Sequence, residues 1–582
     1  MATSKIFRNG FEQKAMWQAK ERVLNCPAAS DLDFYQNTCA NEAGLSVDLQ
    51  RGFVGQAQIK PHNAQIDRLK KGSVKLRMKF HVLKWRHSTL LGSQCEVRVF
   101  GGVGFTKFNG VNDCLKRLTT RLSELAMTTV STLFVAAIIG VCSGTVQAQH
   151  MSGKELIALA QSNSTNLSSA VKKTFSNANL QRGTATMGYL SDVLFVVSSA
   201  SRPEIIIDDA PGPELKLLAR TGLWYTVASI PGQGHIHSYF YTIDGKRFGG
   251  STDLPVWGAE SYLRPGVLSG TLSKPLTYSS EIYDGMTTTY WIYAPADYDP
   301  KKPAALMVML DGQWFLDRDS DNPFLNTIDN LIAEKKIPVM ICVFISPGRL
   351  SGTRASPTYS AVKAYSDKWK RPFEESTRSM LYDTVSDRYP RYLRDEVLAE
   401  VEKSYNIRTD AYSRGIMGGS SGGIASFNAA WQMNDQFSRV ISWIGSFVSL
   451  QWKEESGQTG GAVGGQDYPD MVLRGPKRNI RVWLEDGSRD MQFGFFARNY
   501  GSWPAANLRM ANALKLAGYD FFYSLTEGTH NLSGGSVEVP TELEWLWGGY
   551  DPAKRSETFV QDPAETKLPP FRFKLVDRAT DH

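Results

Sequence analysis

The chain has 582 residues, of which 42% are hydrophobic, 11% aromatic and 21% charged; this suffices for two or more folded domains and excludes wholesale disorder, a collagen-like repeat and a disulfide-dense miniprotein. The formal net charge is +7, but residues 1–126 alone carry +10, which leaves −3 for the rest. The folded bulk is therefore mildly acidic, and no basic stripe for a nucleic-acid partner is implied.

Residues 1–126 show no sustained helical or strand periodicity. They are expected to be unstructured, or to lie upstream of the true translation start. From Met127 the chain reads MTTVSTLFVAAIIGVCSGTVQA, with an apolar run from Leu133 to Val141 and then Val146-Gln147-Ala148. This is the pattern of a secretory signal peptide over 127–148, cleaved after Ala148. The run is far short of the roughly 20 residues of a membrane span, so no stable membrane insertion is expected after cleavage. Of the six cysteines only Cys342 follows this segment. No intramolecular disulfide is then available, and Cys342, inside IPVMICVFIS, reads as a buried strand residue.

Residues 149–184 have helical spacing with polar interruptions and are expected to form a helical leader. Over 185–275 short β-type runs (VLFVVSSA, EIIIDD, LWYTVASI, HSYFYTIDGKRFGG) alternate with Pro/Gly/Asp clusters, including the hairpin signal Asp244-Gly245. They suggest an antiparallel, immunoglobulin-like β-sandwich. Over 276–550 the apolar runs TYWIYAP, ALMVML, PVMICVFI, GIMGG, VISWIG, RVWLED and FFYSLTEG alternate with helical stretches, notably 389–405 and 423–433. Continuous apolar strands separated by helices predict a mostly parallel sheet covered on both faces, and 551–582 are left as a C-terminal tail. The expected fold class is α/β, preceded by a smaller antiparallel β-sandwich.

The strongest local signal is IMGGSSGGIASFNAAW (416–431), where a buried strand runs through glycines into a helix. That is the context of a nucleophile elbow. Gly418-Gly419-Ser420-Ser421-Gly422 and Gly419-Ser420-Ser421-Gly422-Gly423 both satisfy G-x-S-x-G, so spacing alone leaves Ser420 and Ser421 open. Of the eight histidines only His530, in SLTEGTHNLSGG, falls inside the α/β region, in a loop just after a strand, where a catalytic base projects. An acid is expected between them, at the end of RVWLED: Glu485, Asp486 or Asp490. The oxyanion donors expected are the backbone N–H of Ser421 and one from the loop Asp311-Gly312-Gln313-Trp314, near Gln313 and Gly312. Asp317 to Asp321 begins like a Ca²⁺ loop but has Asn322 and Ile328 where Gly and Glu belong, and no zinc-ligand spacing occurs. No metal or other cofactor is expected.

These motifs, together with EIYDGMTTTYWIYAPADYDP, MLDGQW, YDTVSDRYPRYLRDEVLAEVEKSYNI, DGSRD and GSWPAANLRMANALKLAGYDF, resemble the secreted esterases of the enterochelin-esterase and feruloyl-esterase type. These are α/β-hydrolases often preceded by an immunoglobulin-like module, and some relatives are named gluconolactonases. The resemblance runs from about Lys154 to Gly549. Its elbow, G-x-S-x-G-G, implies Ser420 as nucleophile; its acid loop implies Asp490, and Gly528-Thr529-His530 matches its His loop. What it implies is a secreted or periplasmic serine esterase that works through an acyl-enzyme on a small-molecule or polysaccharide ester. Carbohydrate-linked feruloyl or acetyl esters are the expected substrates, with a siderophore ester or sugar lactone as alternative. A reading from another class is a non-catalytic carbohydrate-binding protein, with Trp224, Tyr225, Tyr239 and Tyr241 as a sugar platform.

Overall fold

The computed structural model describes residues 151–218, 221–318, 322–350, 356–448, 464–492 and 501–572. The segments 1–126 and 127–148 lie outside the described residues. Three short helices come first: α1 (Gly153–Gln161), α2 (Leu167–Thr174) and α3 (Asn177–Arg182). Ser152 and Glu155 form a reciprocal capping box at the start of α1, satisfying N–H groups that a helix leaves open.

Two four-stranded antiparallel sheets follow. One has the order β1-β2-β6-β5, from Ala185–Tyr189, Asp192–Ser198, Leu223–Ser229 and Lys216–Leu218. The other has the order β4-β3-β7-β8, from Ala210–Pro211, Glu204–Ile207, His235–Ile243 and Lys246–Val256. Strand β2 explains its unbroken apolar run. Val193, Phe195 and Val197 face the other sheet, whereas Leu194 and Val196 pack under α1–α3, so both faces are buried. Asp244 (φ 50°) and Gly245 (φ 73°) close the β7–β8 hairpin, both in the left-handed conformation that a two-residue primed turn needs.

Two expectations change here. The last strand of the sandwich ends at Val256, not near 275, because β9 (Thr271–Leu272) pairs with β11 in the large sheet. The aromatic platform is also absent: Tyr225, Tyr239 and Tyr241 are buried, and Trp224 packs against the sandwich core and donates its Nε1–H to Ser199 O at 3.1 Å. Aromatics alternating along these strands fill the core rather than face water.

The large sheet has the order β10-β11-β13-β12-β14-β15-β16-β17, from Leu276–Ser280, Met286–Ala294, Met340–Ile345, Ala305–Leu310, Arg414–Gly419, Arg439–Trp443, Arg481–Gly487 and Asp520–Thr526. The strands from β13 to β17 run parallel and the β10–β11 edge is antiparallel. This is the α/β-hydrolase arrangement, and its two buried clusters lie one on each face of the sheet. Cys342, on β13, is fully buried, and burial pushes its thiol pKa up.

The helices of this domain are α4 (Phe324–Ala333), α5 (Pro357–Trp369), α6 (Phe373–Tyr382), α7 (388–402, with a π-helical middle), α8 (Ser421–Gln432), α9 (Tyr468–Arg474), α10 (Trp503–Leu516) and α11 (Ser533–Trp547). The tail continues through α12 (Pro563–Lys567) and is tied to α10 where Lys515 Nζ donates to Glu565 Oε2 at 2.8 Å. Asn330 on α4 donates to the carbonyls of Glu260 and Tyr262, both at 2.7 Å, which fixes the segment leaving the sandwich. Among the described residues no helix is long and apolar enough to cross a membrane.

Candidate active site

Strand β14 ends at Gly419 and α8 starts at Ser421, so Ser420 alone makes the turn, with φ 57° and ψ −119°. A non-glycine residue in that region is strained by about 1–3 kcal/mol and persists only where its surroundings hold it. Here the backbone does so: Ser420 N–H donates to Trp443 O at 2.9 Å, and Ser420 O accepts from Gly423, Ile424 and Ser446 N–H groups. The elbow leaves no room for side chains. A Cβ on Gly418 would lie 2.6 Å from Gly422 O, and one on Gly423 2.7 Å from Ser442 Oγ.

This turn presents Ser420 Oγ 2.8 Å from His530 Nε2. His530 Nδ1 lies 2.7 Å from Asp490 Oδ1, and the Asp490 side chain is fully enclosed. Ser420, His530 and Asp490 thus form one hydrogen-bonded line. The acid turn and the His loop extend the β16–β17 pairing, with Ser488 N–H on Thr526 O (2.8 Å) and Arg489 N–H on Gly528 O (3.1 Å). A Cβ on Gly487 would strike Gly528 O at 2.3 Å, so only glycine lets the two loops approach this closely.

The other acid candidates stand behind this line. Glu485 is buried and accepts from Thr526 Oγ1 at 3.0 Å, which braces the start of the His loop. Asp486 is also fully buried and has no hydrogen bond to His530; neither of its oxygens meets an N–H or hydroxyl donor, and Asp490 Oδ2 is enclosed in the same way. Burial, and then the Asp490 carboxylate beside it, push the Asp486 pKa well above the ordinary range.

On the oxyanion side, Ser421 begins α8 and Gly312 and Gln313 begin a short 3₁₀ turn (Gly312–Phe315), so each offers a first-turn N–H that no helical carbonyl takes. Gly312 packs on the neighbouring strand, where a Cβ would lie 2.5 Å from Phe344 Cα. The Gln313 side chain holds no hydrogen bond to Ser420, and its Oε1 is buried without a partner. Strands β12 and β14 are neighbours, so this turn flanks the elbow.

Sequence reasoning missed several residues around this line. Arg378, on α6, clamps Asp311 through Nε on Oδ1 (3.0 Å) and Nη2 on Oδ2 (2.6 Å), and reaches Gly419 O at 3.4 Å, so it ties the oxyanion turn to the elbow. Ser446 Oγ is 3.3 Å from Ser420 Oγ and accepts from Trp503 Nε1 at 3.3 Å, while the Trp503 ring stands edge-on to His530 at 5.2 Å. Trp503 lies in the GSWPAANLRM run that carries the resemblance, the only signal that pointed to it; Arg378 and Ser446 have none. Among the described residues no group of three His, Cys, Asp or Glu is placed to hold a metal ion.

Residues 280–534 match the family model described as "Putative esterase". No curated protein matches it. The solved structures it resembles include an enterobactin esterase from Shigella flexneri, at 15% identity and a TM-score of 0.40 over 61% of this chain and 92% of that one. They also include a ferulic acid esterase from Anaeromyces mucronatus, at 17% identity and a TM-score of 0.36 over 50% of this chain and 95% of that one.

Proposed function

We propose that the protein is a serine carboxylic-ester hydrolase acting through an acyl-enzyme. The observation that carries this reading is the unbroken line from Ser420 Oγ through His530 to the enclosed Asp490 carboxylate, with the serine on a strained turn. Ser420 Oγ attacks the ester carbonyl while His530 Nε2 takes its proton, and Asp490 holds the imidazole with Nε2 free to accept. The oxyanion is met by the Ser421 N–H and by an N–H of the Gly312-Gln313 turn. As the tetrahedral adduct collapses, His530 returns the proton to the departing alcohol. Water, deprotonated by the same nitrogen, then releases the acid from Ser420.

The proposed substrates are carbohydrate-linked feruloyl or acetyl esters, met outside the cytoplasm after removal of the signal-like segment 127–148. A panel of feruloyl, acetyl, catecholate-siderophore and lactone substrates tests the class. A fluorophosphonate probe with peptide mapping tests the nucleophile, and label on Ser421, or label surviving in Ser420→Ala, would overturn the assignment. Absence of turnover on the whole panel with retained polysaccharide binding would favour the binding-protein reading.

A further inference from the structure

The line Ser420–His530–Asp490 is built from the large sheet alone, yet its His loop is held from outside that sheet. Asp253, on sandwich strand β8, accepts the backbone N–H of Thr529 on Oδ1 at 2.7 Å and the Thr529 hydroxyl on Oδ2 at 2.8 Å. Thr529 is the residue before His530, and 276 residues separate it from Asp253. One residue earlier on the same strand, Thr252 O accepts from Arg489 Nη2 at 2.8 Å, and Arg489 Nε reaches Glu527 O at 2.6 Å. Arg489 directly precedes Asp490. Two consecutive residues of β8 therefore grip the acid turn and the His loop one residue before each functional side chain. Strand β8 is itself held in place, since Trp257, just past its end, donates Nε1–H to Ser536 Oγ of α11 at 3.2 Å.

We propose that strand β8 of the sandwich is a positioning element for the catalytic base, and that Asp253 fixes the orientation of His530 by fixing the backbone of Thr529. This rests on the serine-hydrolase reading above. The base must serve two partners at once, at 2.8 Å on Nε2 and 2.7 Å on Nδ1. A loop free to shift by an ångström loses one of them, and a misplacement of that size costs up to about 10²-fold in rate. The paired acceptors of a carboxylate suit the task, because they pin the peptide N–H and the side chain of one residue together. On this account the sandwich completes the active site without touching substrate.

The test compares full-length Asp253→Ala, Asp253→Asn and Thr529→Val with the wild type. Asp253→Ala is expected to lose roughly 10- to 100-fold in kcat and in the rate of fluorophosphonate labelling, with KM within about two-fold. Asp253→Asn keeps an acceptor for the Thr529 N–H and is expected to restore most of the rate. Thr529→Val, which removes one of the two bonds, should fall between. The downfield NMR resonance of the His530 Nδ1 proton reads the bond to Asp490 with no substrate present, and should shift or broaden in Asp253→Ala. Wild-type kcat, labelling rate and Nδ1 resonance in a folded Asp253→Ala, even with a lowered Tm, would reduce the contact to domain adhesion and overturn the proposal. A wild type that takes no label at Ser420, alongside an Nδ1 resonance that does change in Asp253→Ala, would instead refute the serine-hydrolase reading and leave the positioning effect standing.

Discussion

Replacing Asp490 by asparagine separates the two buried acids of the site. Asp490 Oδ1 accepts from both His530 Nδ1 and the Met491 backbone N–H. In Asp490→Asn the Met491 N–H therefore selects the amide oxygen for that position and turns the NH₂ toward Asp486, where a carboxyl group can receive it. The histidine tautomer survives and only the charge is lost. Unit charges roughly 4–5 Å apart at an effective dielectric of about 20 attract by about 3–4 kcal/mol, so kcat should fall by about 10²–10³-fold. The loss is smaller than the roughly 10⁴-fold expected when an asparagine inverts the tautomer. Asp486→Asn leaves the bond between His530 and Asp490 in place and should lose less than about 10-fold. Steady-state kinetics on one chromogenic ester, with circular dichroism to certify the fold, reads both variants. A fall of about 10³-fold in Asp486→Asn together with near-normal Asp490→Asn would refute the assignment of the acid.

Ser420→Ala should abolish fluorophosphonate labelling, whereas Ser421→Ala, whose contribution is a backbone N–H, should retain activity within about ten-fold; intact-mass analysis and initial rates check both. Arg378→Met should lower kcat with the Ser420 labelling site unchanged, because it frees the oxyanion turn from the elbow without touching the base; a wild-type kcat would discount that tie. Glu485, Asp486, Glu538 and Glu542 are enclosed carboxyl groups whose pKa values burial raises, that of Glu538 to about 7. Their unfolded forms ionise first, so stability should fall as pH rises through the window above the ordinary value, from 4.5 to about 7 for Glu538. Tm should then be lower at pH 8 than at pH 5.5, and Glu538→Gln should narrow the gap. A polypeptide of 149–582 should keep the Tm and specific activity of the longer chain.

The α/β layer was legible because a parallel sheet covered on both faces demands unbroken apolar strands, and β12, β13 and β14 are buried at every position. The helix after the elbow was legible for a related reason: glycines at 418 and 423 permit close strand–helix contact that a Cβ would block. The end of the sandwich was not. Thr271 and Leu272 have ordinary strand composition, and which sheet they join depends on partners in β11 that no local pattern reveals. The aromatic strands misled for the opposite reason, since Tyr239 and Tyr241 satisfy a period of two whether the alternating face meets water or a second sheet.

The acid shows most clearly where local reading stops. RVWLED places Glu485 and Asp486 on a strand, where burial deprives a carboxylate of water and raises its pKa. Asp490 lies four residues on, past a turn, and that detour is what carries its oxygen to His530 while still enclosing it. A carboxyl on the strand itself is aligned with the sheet; one on the turn can be aimed. Next to it, the Arg489 guanidinium binds the carbonyl of Thr252 on sandwich strand β8. Because that contact spans 237 residues and ends on a backbone carbonyl, no window of the sequence contains it. Local turns thus narrowed the candidate nucleophile and acid to two serines and three carboxyl groups, the resemblance chose among them, and the contacts that orient them became visible only through the fold.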